Sequence, residues 1–245
     1  MVVEFCLPVY NEEQILRSSV LMLLNYCKNQ NFGFNWQIVI IVNGSSDATL
    51  NISKELSQEY HKHIKYINIK KAGRGQALKK YWLLSRADIV SYMDIDLAVS
   101  LDNIQGLISP ILKNRSDLVI GSRLLPDSNI QRSFLRELSS QGYNFLSRLI
   151  LGHKFSDLQC GFKAIKLSKF KAIASYITSD QWFFDTELVI WAKYSNFKIK
   201  EIPVNWEENR YNKRKSKVNI AKDSAKFLIN LIKLKKRLKQ KSRLL

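Results

Sequence analysis

Apolar positions along the chain fall into short continuous runs separated by stretches with helical spacing. Val2–Leu7 is a β-rich run closed by Pro8. From Asn11 the apolar residues Leu16, Val20, Leu23, Leu24 and Cys27 share one helical face, and Asn11 with Gln14 three residues on predicts a capping box at the start of that helix. Ile38–Val42 is apolar throughout, as in a strand buried on both faces of a parallel sheet, and Asn43–Asp47 after it is turn chemistry leading into a second helix. Ile64–Ile69, Gly75–Ser85 and Asp88–Met93 continue the alternation of strand, helix and strand. The beat predicts an α/β fold with a mostly parallel central sheet flanked by helices. Beyond it come a strand at Asp117–Gly121, a helix over Ser133–Leu151, a loop at Gly152–Gly161 and a short strand Phe162–Ile165. A helix near Thr186–Tyr194 and a final strand Lys198–Trp206 close the body, and Ala221–Leu238 regains helical spacing.

Composition fits one sizeable core: 245 residues, 46% hydrophobic and 24% charged, with no linker rich in Pro, Gly or Ser. The formal charge of +18 is unevenly placed. Fourteen Lys or Arg and one acid, Asp223, follow position 209, so +13 belongs to that tail and +5 to residues 1–209. We therefore divide the chain into a main domain over 1–210 and a basic amphipathic tail over 211–245. Three cysteines, Cys6, Cys27 and Cys160, have no framework spacing, and no charged leader precedes the first strand, which suggests a reducing compartment. The longest apolar stretches, Val20–Leu24 and Ile38–Val42, fall far below the roughly 18–20 residues needed to span a bilayer. No transmembrane segment is expected.

In an open parallel sheet, ligands gather at the carboxyl ends of the strands. Four loops qualify: Leu7–Glu13, Asn43–Asp47, Lys70–Gly75 and Met93–Leu97. In the last, Asp94 and Asp96 flank one residue, and two carboxylates so close favour a hard divalent cation shared with diphosphate oxygens. An isolated pair of this kind is more often a helix cap or solvated turn, so the surrounding motifs decide.

Those motifs resemble the inverting family 2 glycosyltransferases of the GT-A nucleotide-sugar-binding type, in particular the members that glycosylate dolichyl or polyprenyl phosphate. The resemblance runs from about Val2 to Val218. It rests on Leu7-Pro8-Val9-Tyr10-Asn11-Glu12-Glu13, Gly73-Arg74-Gly75-Gln76-Ala77-Leu78, Tyr92-Met93-Asp94-Ile95-Asp96-Leu97, Ile120-Gly121-Ser122-Arg123, Asp157 to Lys163, and Trp182-Phe183-Phe184-Asp185-Thr186-Glu187, in that order. Gln159-Cys160-Gly161-Phe162-Lys163 and Pro203-Val204-Asn205-Trp206 lean toward the glucosyl branch. Val42 and Asn43 depart from it, because relatives usually place two acids before the Gly-Ser turn.

The resemblance implies attack of a lipid phosphate oxygen on the anomeric carbon of a nucleotide sugar, UDP-glucose being favoured over GDP-mannose. It implies Mg²⁺ or Mn²⁺ held by Asp94 and Asp96. Nucleotide-sugar contacts are expected from Pro8, Tyr10, Asn11, Glu12, Asn43, Gly44, Ser45, Asp47, Lys71, Gly73, Arg74, Gly75 and Asp94. Arg123, Arg132 and Arg136 offer planar forks for the acceptor phosphate, although the last two read equally as solvent-facing helix charges. Asp157 and Gln159 are candidates for sugar hydroxyls, and Ser216 and Lys217 for a loop over the diphosphate. Asp185 would orient sugar or acceptor, act as a base toward a hydroxyl acceptor, or simply cap a helix.

The tail supplies a route to a lipid substrate. Phe227, Leu228, Leu231, Ile232, Leu234 and Leu238 form an apolar stripe, and Lys226, Lys233, Lys235, Lys236, Arg237, Lys239, Lys241 and Arg243 face anionic headgroups, at about 1 kcal/mol each. A second apolar face, Phe145, Leu146, Leu149, Ile150 and Leu151, fits either a membrane or the sheet. This makes the protein peripheral on the cytoplasmic side of a membrane. The alternatives are a transferase acting on a glycan hydroxyl and a nucleic-acid-binding protein; the body lacks the basic stripe with interleaved aromatics that the latter needs.

Overall fold

A computed structural model describes residues 1–131, 134–207 and 220–242. Its centre is a seven-stranded sheet in the order β3-β2-β1-β4-β7-β5-β8. The strands are β1 Val2–Val9, β2 Asn35–Asn43, β3 Ile64–Ile69, β4 Ile89–Met93, β5 Leu118–Ser122, β7 Phe162–Lys166 and β8 Ile199–Pro203. All pair in parallel except β7, which runs antiparallel between β4 and β5. A small sheet pairs β6 Asn129–Gln131 with β9 Asn205–Glu207.

Strand periodicity builds two cores. Val3, Phe5, Leu7 and Val9 of β1 face the layer containing α1 Leu16–Asn29, α2 Thr49–Glu59 and α4 Ile104–Leu112. Cys6, with Val39, Ile41 and Tyr92, faces the layer of α3 Arg74–Leu84, α6 Leu167–Ile173 and α7 Phe184–Tyr194. Both faces are covered, which explains the unbroken apolar run of β2. All three cysteines are free and buried.

Several sequence expectations need correction. The first strand continues past Pro8 to Val9. The β1–β4 ladder ends at Cys6, so Pro8 sits where β2 alone is paired, and a missing N–H is tolerated there. The first helix begins at Leu16, not Asn11, which adopts φ 51° and accepts a hydrogen bond from the Ser46 amide instead of capping a helix. The final strand is two strands, because the chain leaves β8 at Pro203 and crosses to β6. Helices α4 and α6 went unforeseen; Gly106 and Pro110 inside α4 mask its pattern.

Helix α5 spans Phe134–Leu151 and α8 spans Ile220–Ser242. They pack against each other, with the Tyr143 and Phe227 rings 5.2 Å apart. The tail stripe faces mainly inward: Leu231 and Leu234 are buried in the second core, and Phe227 and Leu238 pack against it. Leu228 and Ile232 remain exposed, joined by Ile229. On α5, Phe145 and Leu149 are 61% and 71% exposed and Leu146 is exposed, whereas Ile150 and Leu151 pack on the body. No helix among the described residues is long and apolar enough to cross a membrane.

Candidate functional site

The strand order reverses between β1 and β4, so the loops after these strands open a crevice at the carboxyl rim of the sheet. The loops after β1 and β2 are laced together. Ser45 Oγ accepts from the Asn11 amide, Thr49 Oγ1 from Glu12, and Asp47 from Glu13 and Thr49, while Glu13 accepts from Ala48. Asn43 is spent on the frame: its Nδ2 donates to the Val9 carbonyl at 2.7 Å and its Oδ1 accepts from Gly73 N–H at 3.0 Å. It therefore ties three loops together in this structure. Gly44 has φ 71°, and a Cβ there would meet the Ala72 backbone nitrogen at 2.6 Å. Pro8 lies one residue before the end of β1, Tyr10 is exposed just past it, and Lys71 pairs with Asp180 at 3.0 Å.

Arg74 occupies the centre. It opens α3, and its guanidinium lies between the rings of Tyr92 and Trp182, 4.9 Å from each centroid. It faces two carboxylates, Asp94 at 3.3 Å and Asp185 at 3.5 Å. Its Nε and Nη2 are buried without a hydrogen-bond partner among the described residues. Asp94 follows the last residue of β4, and its carbonyl accepts from Leu97 in a tight turn that also carries Asp96, whose Oδ1 accepts from Ala98. Gly161 gives the close approach: a Cβ there would lie 2.1 Å from Asp94 Oδ2.

Asp185 is 2% exposed and lies inside the first turn of α7, with Phe183 at the cap position, so the helix-cap reading is corrected. Its Oδ1 accepts from Lys163 Nζ at 2.7 Å. Lys163 is fully buried and also donates to the Cys160 carbonyl and the Tyr92 hydroxyl. Tyr92 and Lys163 are register partners of the antiparallel β4–β7 pair, which puts both on one face. Burial pushes the Asp185 carboxyl up, with Arg74 opposing, and pushes the Lys163 ammonium down. Lys163, Tyr92 and Trp182 stood in recognised motifs with no role assigned. A lysine between Phe162 and Ala164 in a buried strand was the available signal; its partners depended on register.

Arg123 and Asp157 form a separate pair. Nε and Nη2 of Arg123 donate to the two oxygens of Asp157 at 2.7 and 3.1 Å, and Asp157 also accepts from the Arg123 and Gln159 amides. Burial alone would raise the Asp157 carboxyl, but Arg123 carries it down to about 2. Both oxygens of Asp157 are engaged by Arg123 and backbone amides, and Arg123 lies over the Trp206 ring. Gln159 is half-buried beside them. Next to the Asp96 turn, a cleft of about 200 Å³ is lined by Ser100, Asn129, Gln131, Asn205, Trp206 and Glu207. Arg132, Ser216 and Lys217 lie outside the described residues, as does the side chain of Arg136.

Among the described residues no group of three His, Cys, Asp or Glu converges as a complete metal cage. Asp94 and Asp96 are two half-exposed hard-oxygen donors in one turn. That donor set fits Mg²⁺ or Mn²⁺ whose remaining ligands come from diphosphate and water.

Fold and rim chemistry together define a GT-A-type α/β nucleotide-sugar transferase. Structural similarity agrees: glucosyl-3-phosphoglycerate synthase of Mycobacterium tuberculosis, solved with Mn²⁺, UDP-glucose and glycerol 3-phosphate, superposes with a TM-score of 0.64 over 95% of this chain and 78% of that one, at 15% identity. A family model described as glycosyl transferase family 2 matches residues 4–174. The chain belongs to this family and is a glycosyltransferase. The glycosyltransferase AglD of Haloferax volcanii is 30% identical over 90% of this chain and 35% of its own length. The dolichyl-phosphate beta-glucosyltransferase of Saccharomyces cerevisiae is 30% identical over 92% of this chain and 72% of its own. The chain thus spans about a third of AglD and under three quarters of the yeast protein.

Proposed function

We propose that the protein transfers glucose from UDP-glucose to a dolichyl or related polyprenyl phosphate, with inversion, at a membrane surface. The observation that carries this reading is Arg74, an enclosed cation between Asp94 and Asp185 whose Nε and Nη2 make no hydrogen bond among the described residues, at the rim where an α/β sheet takes its nucleotide. Its guanidinium binds the donor diphosphate. Asp94 and Asp96 would hold Mg²⁺ or Mn²⁺, which when bound would supply charge neutralisation to the leaving diphosphate.

The acceptor phosphate oxygen attacks the anomeric carbon as the nucleoside diphosphate departs. A phosphate monoester has a second pKa of about 6, so it needs no general base near neutral pH. Asp185, enclosed by Lys163 and Arg74, fits charge balance and orientation better than proton abstraction, which weighs against a hydroxyl acceptor. Arg123, together with Arg132 and Arg136, draws in the acceptor phosphate. The amide-rich cleft with the Trp206 indole suits sugar hydroxyls.

Attachment to the membrane uses a composite face. Phe145, Leu146 and Leu149 of α5 and Leu228, Ile229 and Ile232 of α8 are exposed apolar residues on two packed helices. Exposed Lys233, Lys235, Lys236 and Lys239 surround them toward the C-terminal half of α8. The division into a catalytic body (1–210) and membrane-surface tail (211–245) is thus functional, because α8 itself is seated on the body. We assign the enzyme to the cytoplasmic face of a membrane, where anionic headgroups would meet these lysines.

The test is incubation with radiolabelled UDP-glucose, GDP-mannose or UDP-N-acetylglucosamine, Mg²⁺ or Mn²⁺, and a polyprenyl phosphate in anionic liposomes. Labelled glucolipid from UDP-glucose is expected; no lipid-linked product from any donor would overturn the reading. Liposome binding should fall at high salt and on Leu149→Glu with Ile232→Glu.

A further inference from the structure

Helix α8 reaches the catalytic rim through a chain of polar contacts that the membrane role does not use. Arg237, in the half of α8 seated on the body, donates to the Glu187 carboxylate, to Thr178 Oγ1 at 2.8 Å and to the Tyr176 carbonyl at 3.1 Å. Glu187 is buried in the first turn of α7, two residues past Asp185. It also accepts from the backbone amides of Thr178 and Ser179, both at 2.7 Å, and from the Thr178 hydroxyl. The segment 178–182 is therefore fixed at its start by a carboxylate whose charge is balanced from the tail.

That segment is the surface on which the loop carrying Arg74 lies. The Asp180 carbonyl accepts from the Gln76 amide at 3.1 Å, the Asp180 carboxylate pairs with Lys71, and Gln181 Nε2 donates to the Ala72 carbonyl at 3.5 Å. Contact is so close that a Cβ on Gly73 would meet the Asp180 carbonyl oxygen at 2.5 Å, and one on Gly75 the Ser179 carbonyl oxygen at 2.6 Å. Trp182, at the end of the segment, supplies one of the two rings that sandwich Arg74. Glu187, Gly73 and Gly75 are buried, so the two ends of this chain of contacts are enclosed, while Thr178, Gln181, Ala72 and Lys71 between them reach solvent.

We propose that Glu187 and Arg237 are positioning residues for donor binding: the seated tail helix fixes segment 178–182, and that segment shapes the loop from Lys71 to Gln76 around the diphosphate. The inference rests on the reading of that loop as the donor diphosphate site. Removing Arg237 leaves a buried carboxylate without its cation and frees the segment to shift. A shift of even about 1 Å at Arg74 weakens an interaction that depends on orientation. The α8 helix then has two roles, an outer apolar face toward lipid and an inner polar contact toward the donor.

The experiment compares the full chain with Arg237→Met, Arg237→Lys, Glu187→Gln and the Arg237→Met/Glu187→Gln double variant. Amide hydrogen exchange in peptides over 71–77 and 178–182 should quicken about tenfold in Arg237→Met, while β1 and β2 keep their protection. The dissociation constant of UDP-glucose with Mn²⁺, by calorimetry, should rise about tenfold, and glucolipid turnover should fall with it because Arg74 is displaced. Arg237→Lys should recover part of the affinity, and the double variant should be no worse than the poorer single one. Unchanged exchange or affinity in Arg237→Met overturns the proposal, and so does faster exchange throughout β1 and β2, which marks general loosening. Arg74→Met separates the two readings: unaltered UDP-glucose affinity there refutes the donor-site assignment, whereas the exchange pattern of Arg237→Met judges the brace by itself.

Discussion

Arg74 and Arg123 are both enclosed arginines facing aspartates on the same rim of the sheet, yet their bonding differs. Arg123 meets one carboxylate fork to fork, and Asp157 has its two oxygens filled by that guanidinium and by backbone amides. Arg74 faces two carboxylates at 3.3 and 3.5 Å, makes stacking contacts with two rings and has two buried nitrogens, Nε and Nη2, that make no hydrogen bond among the described residues. A buried unpaired donor costs about 1–3 kcal/mol. The first arrangement is closed and holds the 156–161 segment in place. The second is open and keeps capacity for an anion.

The strongest way to break this comparison is to remove each arginine in turn. Arg123→Met should cost about 3–5 kcal/mol of unfolding free energy, measured by urea denaturation, because Asp157 is left as a buried charge without a partner. Adding Asp157→Asn should return a large part of that loss. Arg74→Met should change stability by only about 1 kcal/mol or less, since Asp94 is reached by solvent and Asp185 keeps Lys163. Its glucolipid turnover should instead fall by about 10²–10³, the range for losing one preorganised charge-stabilising group. Equal destabilisation by the two substitutions would erase the distinction.

The closed and open pairs were not equally legible in the sequence. Asp94, Asp96, Arg74 and Asp185 were each singled out, because the strand-end position and ordered motifs mark them without any knowledge of partners. The bond between Asp157 and Arg123 is not legible in the sequence: 34 residues separate them, and only the packing of the loop after α5 against the end of β5 joins them. Lys163 escaped notice for the same reason, since its link to Tyr92 depends on an antiparallel strand inserted into an otherwise parallel sheet. The regular first hundred residues were readable down to their strands, whereas α4, α6 and the break at Pro203 were not. The tail stripe was correctly helical, but a wheel of apolar residues does not say whether protein or lipid covers it; Leu231 and Leu234 turned out to be core.

A smaller perturbation sharpens the contrast by geometry alone. Gly161→Ala places a methyl group 2.1 Å from Asp94 Oδ2 and 2.9 Å from Arg74 Nη2, so the open cluster must shift. Turnover should drop by about tenfold to a hundredfold while unfolding changes little. Gly121→Ala is the matched control: its Cβ meets Val204 at 2.9 Å and Phe162 at 3.2 Å in the core. There the expected loss is about 1–3 kcal/mol of stability, from overpacking. A Gly161→Ala enzyme with full turnover would show that Asp94 need not hold its position.

The smallest effect concerns acid. Asp157 is held down to about 2 in the folded protein by Arg123, below the ordinary aspartate range, so the folded state binds its proton less readily than the unfolded chain does. A depressed carboxyl contributes stability that is fully present above about pH 4 and lost as pH falls toward 2, here about 2 kcal/mol. His153, pushed down to about 4 by burial, also opposes protonation in the folded state, and its loss falls earlier, as pH drops from about 6.5 to 4. Asp185 has the opposite sign: a carboxyl raised by burial favours the folded state when protonated, so stability declines as pH rises past the normal carboxylate range. Unfolding free energies of the parent and of Arg123→Met/Asp157→Asn, measured from pH 7 to pH 2, should therefore converge below pH 4. Parallel curves through that window would mean that the closed pair contributes nothing that protonation can remove.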